Sequence, residues 1–151
     1  IEFTKKGQRL IRCAGSLGWG FPGALGVKCA LPDQAGICFS GDGGFYYHLA
    51  EVETMARYGI NLIVVVNNRS YYNDVAHQEH VARHRNRSVE NRWIGLNLED
   101  PVPDFAVLAR GQGWTADGPI KSFGDLRAAI DAGIATVEAG GCHLIDVYVD
   151  E

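Results

Sequence analysis

The sequence predicts an α/β fold, a parallel β-sheet with helices on both faces. Apolar, strand-like runs alternate with segments of helical periodicity along the 151 residues, and this order is typical of parallel sheets. Two of these runs, residues 35–40 and 62–66, end directly in glycine-rich or asparagine-rich sequence. The carboxyl ends of parallel strands meet at one edge of the sheet, where open α/β folds bind ligands.

The first half of the chain is expected to contain two helices and two strands. A helix is predicted over residues 22–30, because a proline lies in its first turn and glycines precede it. Residues 35–40 have the pattern of a buried strand. A second helix is predicted over residues 45–58, with apolar residues at helical spacing and Gly59 at its end. Residues 62–66 are almost entirely β-branched, which favours a strand.

The second half begins with a long, polar and irregular stretch. A helix is predicted over residues 106–111, entered through a Pro-Asp pair, and a short strand over residues 114–116. Ser122 is the expected N-cap of a helix over residues 123–139, with an acidic residue in the first turn. Residues 143–149 form the last predicted strand.

Composition indicates one globular domain. Hydrophobic residues make up 46% and charged residues 21% of the chain, which favours a folded core. The net charge of −4 argues against a general nucleic-acid or membrane surface. No signal peptide or membrane-spanning run is visible, and four cysteines without a C-x-x-C pair suit a reducing, cytoplasmic location.

Two polar motifs follow the two strands of the first half and predict a metal site. A Gly-Asp-Gly-Gly motif occupies residues 41–44 and an asparagine pair occupies residues 67–68. Asp42 and Asn68 are 26 positions apart, which fits one helix plus one strand, so both side chains are expected at the same edge. A carboxylate, an amide oxygen and a backbone carbonyl just beyond them, that of Ser70, suit Mg²⁺ bridged to a diphosphate.

The glycines of the first motif predict a phosphate-binding turn. Gly43 and Gly44 let the main chain approach phosphate closely and direct N–H groups toward it. They also begin a helix whose N-terminus favours anions. The alternative interpretation is an Asp-Gly turn and an unrelated asparagine loop, with no ligand at either.

The two motifs together resemble the signature of thiamine-diphosphate-dependent enzymes, within the superfamily of acetolactate synthase, pyruvate decarboxylase and benzoylformate decarboxylase. The similarity covers nearly the whole chain, so residues 1–151 resemble the C-terminal, diphosphate-binding domain of that family. The resemblance implies thiamine diphosphate and Mg²⁺ as cofactors. Because the chain opens without a methionine and close to residues 15–24, which resemble the family segment that supports the cofactor rings, we expect a fragment of a longer chain or a separate subunit.

The resemblance also implies a role for particular residues. The segment over residues 15–24 is similar to the family segment under the two cofactor rings, with the Gly15 carbonyl facing the pyrimidine amino group and Leu17 as an apolar wedge. Asp42, Asn68 and the Ser70 carbonyl are the implied metal ligands. The implied cofactor-binding residues are Gly15, Ser16, Leu17, Gly41, Asp42, Gly43, Gly44, Asn68 and Tyr71. Gly44 departs from the family, which usually has serine there, so a weaker phosphate contact is expected.

The catalytic glutamate of the family has no counterpart in this chain. In the family it activates the cofactor from a pyrimidine-binding domain, whereas Glu51 and Glu53 here have the positions of structural helix residues. The chain alone is therefore expected to bind the cofactor but not to catalyse efficiently. The implied partners are a pyrimidine-binding domain in the same or another chain, a second copy in a homodimer or tetramer, and a small 2-oxo acid or aldehyde substrate. Decarboxylation and carboligation both stay open.

Two other functions compete with this one. Gly18, Gly20 and Gly23 match the dinucleotide fingerprint, and Asp42 follows at the spacing of a ribose-binding acid, as in an NAD-dependent oxidoreductase. Two arginines interrupt the segment before Gly18, however, and the asparagine pair is left without a role. A non-catalytic cofactor-binding or assembly module is the second alternative. The roles of a histidine and arginine cluster stay open: His77, His80, His84, Arg83, Arg85, Arg87 and Arg92.

Overall fold

The computed structural model describes residues 4–12, 15–72, 80–85 and 97–149. In chain order its elements are α1 (Gly20–Ala30), β1 (Ile37–Gly41), α2 (Asp42–Tyr46), α3 (Ala50–Tyr58), β2 (Ile63–Asn68), α4 (Phe105–Gly111), β3 (Thr115–Ile120), α5 (Phe123–Glu138) and β4 (His143–Tyr148). Residues 80–84 form a further short helical stretch. Within these ranges, no helix is both long and apolar enough to cross a membrane.

The strands form one parallel sheet in the order β1-β2-β4-β3. Gly41 at the end of β1 pairs with Asn67 near the end of β2. Val66 on β2 pairs with Asp146 on β4. The carboxyl ends of the strands therefore share one edge, as the sequence predicted.

Helices pack on both faces of the sheet, which confirms the predicted fold class, but they cover the two faces unequally. On one face, α1 to α4 enclose the main core, which includes Phe21, Cys38, Phe45, Val52, Met55, Val64, Val66, Phe105 and Leu144. On the other face, α5 packs on a smaller cluster that includes Ile63, Val65, Ala129 and Ile145. Ile37 and Phe39 of β1 are 53% and 62% exposed, so among the described residues α5 covers only the part of this second face that lies away from β1.

The helix predicted over residues 45–58 is two helices. α2 begins at Asp42, and α3 begins at Ala50 after a turn. Through that turn the His48 amide bonds the Phe45 carbonyl and the Glu51 amide bonds the His48 carbonyl, so the pattern tightens to three-residue spacing. The apolar periodicity continues across the turn, which is why the sequence did not show the interruption.

Strand β3 is longer than the three residues predicted for it. It runs through Asp117, Gly118 and Pro119, which are residue types that disfavour strand interiors. β3 lies at the edge of the sheet, where a proline removes no ladder hydrogen bond, and its register shifts between Asp117 and Ile120. The predicted N-cap is confirmed, because the Ser122 side chain accepts a hydrogen bond from the Asp125 amide.

Candidate functional site

Asp42 and Asn68 are linked by the amides of two consecutive residues. The Arg69 amide donates to Asp42 Oδ2 at 3.0 Å, and the Ser70 amide donates to Asn68 Oδ1 at 3.1 Å. The Gly43 amide donates to Asp42 Oδ1 at 2.7 Å. The exposed fractions of Asp42 and Asn68 are only 6% and 2%. The structure thus brings a carboxylate and a carboxamide oxygen together, in fixed orientations, where β1 and β2 end.

Ser70 has a backbone conformation that is uncommon for a residue other than glycine. Its φ is 59°, in the left-handed region, and it is 3% exposed. Its hydroxyl lies 3.5 Å from Asn68 Oδ1, and its carbonyl accepts a hydrogen bond from the Leu98 amide at 2.8 Å. A carbonyl oxygen has two lone pairs, so this contact leaves one for a cation. Buried strain of this kind is concentrated at functional sites.

Tyr71 lies where residues 97–98, which follow the long polar stretch, come back to the site. It forms an antiparallel bridge with Asn97, and the guanidinium carbon of Arg69 is 5.0 Å from the centre of its ring. This return could not be predicted from local sequence patterns, because it joins residues on either side of the long polar stretch.

The ring of Tyr72 lies directly on the glycine turn. A Cβ added to Gly43 would be 2.1 Å from Tyr72 Cε1. Tyr72 also stacks on Tyr47, with ring centroids 5.7 Å apart. Burial raises the pKa of Tyr72 to about 12, and the hydrogen bond with Tyr47 and the charge of Asp42 act in the same direction. Gly43 is therefore required for this contact with Tyr72.

The segment predicted to lie under the cofactor rings meets the glycine turn. A Cβ on Gly44 would be 3.6 Å from the Gly18 amide nitrogen, and a Cβ on Gly18 would be 3.0 Å from the His48 ring. Gly15 and Gly18 have φ values of 96° and 81°, which glycine adopts without strain. Leu17, between them, is 65% exposed, so its side chain is available for an apolar contact.

Asp146 is a residue of this site that the sequence analysis missed. It is 2% exposed, and its Oδ1 has no hydrogen-bond partner in the described part of the chain. Burial raises the pKa of Asp146 to about 6, a hydrogen bond with the Asn68 side chain opposes this, and the carboxylates of Asp104 and Asp42 raise it further. The available signal was a lone aspartate at an inward-facing position of an apolar strand.

This arrangement fits a hard divalent cation. Asp42, Asn68 and Ser70 offer only oxygen donors, which Mg²⁺ prefers. The carboxylates of Asp104 and Asp42 disfavour the charged form of Asp146, and a cation would offset that repulsion. No group of three or more His, Cys, Asp or Glu side chains suited to a metal occurs among the described residues. Such a site would take its remaining ligands from phosphate and water.

Two members of the histidine and arginine cluster contact each other in the described residues. The His80 and His84 rings lie 4.3 Å apart, centroid to centroid, on the short helical stretch. His77, Arg87 and Arg92 lie outside the described residues, so the cluster's role stays open.

The dinucleotide fingerprint lacks the geometry that a dinucleotide requires. That motif must follow a strand directly, but no strand occurs among the residues described before Gly20, which begins α1. The Trp19 ring also covers Gly23, since a Cβ there would be 2.8 Å from it. The Trp19 amide donates to the Ser16 carbonyl at 3.3 Å, so this segment is a turn.

Comparisons with known proteins identify the family of this chain. Residues 2–147 match the family described as thiamine pyrophosphate enzyme, C-terminal TPP binding domain. An acetolactate synthase from Arthrospira platensis is 36% identical over 111 residues, which are 72% of this chain and 18% of that protein. A probable acetolactate synthase large subunit from Methanococcus aeolicus is 32% identical over 137 residues, 90% of this chain and 21% of that protein.

A solved structure is also similar. It is the thiamine diphosphate-dependent 4-hydroxybenzoylformate decarboxylase of Rhodococcus jostii RHA1, with a TM-score of 0.69 and 27% sequence identity over 90% of this chain and 23% of that one. The chain belongs to the thiamine pyrophosphate enzymes and corresponds to their C-terminal TPP-binding domain. This confirms the predicted family. The chain spans about a fifth of the length of these relatives.

Proposed function

We propose that this chain supplies the diphosphate and Mg²⁺ half of the active site of a thiamine-diphosphate-dependent 2-oxo acid decarboxylase or carboligase similar to acetolactate synthase. The observation that carries the proposal is the pair of consecutive amides, of Arg69 and Ser70, that fix Asp42 and Asn68 side by side. Asp42, Asn68 and the Ser70 carbonyl hold Mg²⁺, while the amides of Gly43 and Gly44 bind the diphosphate.

The remaining residues of the site support the cofactor rings. Gly15 offers its carbonyl to the aminopyrimidine, and the exposed side chain of Leu17 holds the two rings at an angle, with Ser16 between them. Tyr71 follows Ser70 directly and is the further cofactor-binding residue, and the Tyr72 ring lies on Gly43 of the diphosphate turn. When bound, thiamine diphosphate supplies a nucleophilic carbon and an electron sink for cleaving a bond next to a carbonyl.

The other half of the active site comes from a pyrimidine-binding domain in the same or another chain. That domain supplies the activating glutamate, which has no counterpart near Asp42 in the described residues. We place this chain as the C-terminal domain of a longer enzyme, or as one subunit of it, that assembles into a dimer or tetramer. Its substrate is a small 2-oxo acid, alone or with an aldehyde or second 2-oxo acid as acceptor.

Calorimetric titration of thiamine diphosphate into the chain, with and without Mg²⁺, tests the site. We expect binding that requires Mg²⁺ and that weakens by at least about tenfold in Asp42→Ala, because a metal ligand is removed. Asp131→Ala is the matched control, since Asp131 is an exposed carboxylate on α5 and its loss changes the net charge equally. Equal affinities in the two variants, or binding that ignores Mg²⁺, would contradict the proposal.

The reaction is tested by adding a pyrimidine-binding domain from a relative. With pyruvate or benzoylformate as substrate, we expect CO₂ release only when both domains, Mg²⁺ and thiamine diphosphate are present. An aldehyde product identifies a decarboxylase, and a hydroxyketone identifies a carboligase. A site that binds the cofactor but gives no turnover with any such domain would favour the non-catalytic module.

A further inference from the structure

Asp146 lies beside the proposed metal site without being one of its ligands. Along β4 and β2, alternate residues point to the same face, and Asp146, paired with Val66, lies on the face that carries Asn68. Asp146 and Asn68 are both 2% exposed, and the Asn68 side chain opposes the rise that burial causes in the pKa of Asp146, as a hydrogen-bond donor does. Resting on the proposed function, we propose that Asp146 is a positioning residue that turns the Asn68 carboxamide so that its oxygen, not its nitrogen, is presented to the divalent cation.

The chemistry of the two side chains determines this orientation. The two ends of a carboxamide are nearly equal in shape, but one end only accepts hydrogen bonds and the other only donates them. An ionised carboxylate can only accept, so Asp146 can hydrogen-bond to Asn68 only through Nδ2. The Ser70 amide can only donate, and it contacts Oδ1 at the other end. The two contacts therefore select the same orientation.

Asp146 is itself held on several sides. A Cβ on Gly118 of β3 would lie 2.5 Å from Asp146 Cβ and 3.0 Å from its carbonyl oxygen, so only glycine at position 118 leaves this space. The backbone of Phe105, at the start of α4, is close enough to the Asp146 carboxylate to oppose the rise that burial causes in its pKa. An apolar residue would fill this buried position more stably than a carboxylate next to Asp42 and Asp104. Fold stability alone therefore does not account for an acid here.

A double-mutant cycle that measures Mn²⁺ binding tests the inference. Mn²⁺ accepts the oxygen ligands that suit Mg²⁺, and its free form is counted by electron paramagnetic resonance. We expect Asp146→Ala to weaken Mn²⁺ binding about tenfold, as the loss of a ligand-orienting partner typically does. In an Asn68→Asp background the same change should have little effect, because both ends of the side chain at position 68 are then oxygen.

Asp146→Asn separates an accepting role from a charge effect. Its amide oxygen can still accept from Asn68 although the charge is gone, so it should recover part of the affinity lost in Asp146→Ala. Because asparagine keeps the shape of aspartate, Asp146→Asn can replace Asp146→Ala in the double-mutant cycle if the alanine variant does not fold. The loss of Mn²⁺ affinity in Asp146→Asn must then also be confined to the background that retains Asn68. Near-ultraviolet circular dichroism checks that each variant keeps its packing.

The outcomes distinguish this inference from the proposed function. Equal losses in both backgrounds would show that Asp146 acts through charge alone and would overturn the inference. Unchanged Mn²⁺ affinity in Asp146→Ala, with Asp42→Ala still impaired, would overturn the inference and leave the proposed function standing. Absence of Mn²⁺ binding by the parent chain, with or without thiamine diphosphate, would overturn both.

Discussion

Alanine at Gly43 and alanine at Gly44 should change stability in opposite directions. A Cβ at Gly43 would lie 2.1 Å from the Tyr72 ring, so the ring must move by about 1.3 Å to reach an ordinary contact of 3.4 Å. That movement disrupts the stack with Tyr47, worth about 0.5–1.5 kcal/mol, and their hydrogen bond, worth about 1 kcal/mol. The gain from replacing a helical glycine is only about 1 kcal/mol. The expected net effect is a loss of about 1 kcal/mol.

At Gly44 the nearest neighbour of an added Cβ is Ser40 Oγ at 3.4 Å, so the gain in helix propensity is kept. Gly44→Ala should therefore be more stable than the parent by up to about 1 kcal/mol. Each 1 kcal/mol shifts the Tm of a domain of this size by roughly 2–4 °C, which thermal unfolding followed by circular dichroism resolves. The reasoning is refuted if Gly43→Ala melts at or above the temperature of Gly44→Ala.

Four further variants test other parts of the structure. Gly44→Ser should bind thiamine diphosphate roughly fivefold more tightly by calorimetry, because the added hydroxyl contributes about 1 kcal/mol to phosphate binding; unchanged affinity would show that the hydroxyl does not reach the phosphate. Ser70→Gly should raise the free energy of unfolding by about 1 kcal/mol by relieving left-handed strain and leave Mg²⁺ affinity unchanged, whereas lost affinity would assign the ligand to the hydroxyl. Trp114→Phe should lower the free energy of unfolding in urea by about 1–3 kcal/mol, because Trp114 Nε1 donates to the buried Val52 carbonyl at 2.8 Å; a loss within error would make that bond dispensable. Burial raises the pKa of Asp146 from 3.8 to about 6, so the folded state binds the proton more tightly than the unfolded state, and the parent chain loses stability as the pH rises from about 4 to 6. Asp146→Asn does not titrate, so without metal its free energy of unfolding should increase relative to that of the parent by about 3 kcal/mol over that pH range. A difference that does not change with pH would contradict the burial of a charged carboxylate.

The fold class was predictable because its signals are local. The β-branched run before the asparagine pair and the apolar run before the glycine motif each required a strand, and the spacing between them fits one parallel crossover. The same locality made Asp42 and Asn68 predictable as neighbours, because each follows directly from a strand whose end is marked in the sequence. The structure adds that two consecutive amides of one turn hold these side chains: the Arg69 amide donates to Asp42 and the Ser70 amide donates to Asn68.

The rest of the site depends on contacts between residues far apart in the chain, which periodicity does not show. Leu98 reaches the Ser70 carbonyl across the long polar stretch. Asp146 reaches Asn68 only because β4 is inserted between β2 and β3 in the sheet. The order of strands, and not any motif, therefore decides which late residue joins the early ones.

That strand order also explains why the site is so acidic. Placing β4 next to β2 brings Asp146 beside Asn68, and α4, which follows the polar stretch, brings Asp104 to the same place. Burial and the charges of Asp104 and Asp42 then all oppose the charged state of Asp146, which lies beside the neutral carboxamide. A chain selected for stability alone would gain from replacing at least one of these carboxylates. The arrangement is consistent with a bound cation that offsets the repulsion, and it makes the carboxamide at position 68 the group whose orientation most needs to be fixed.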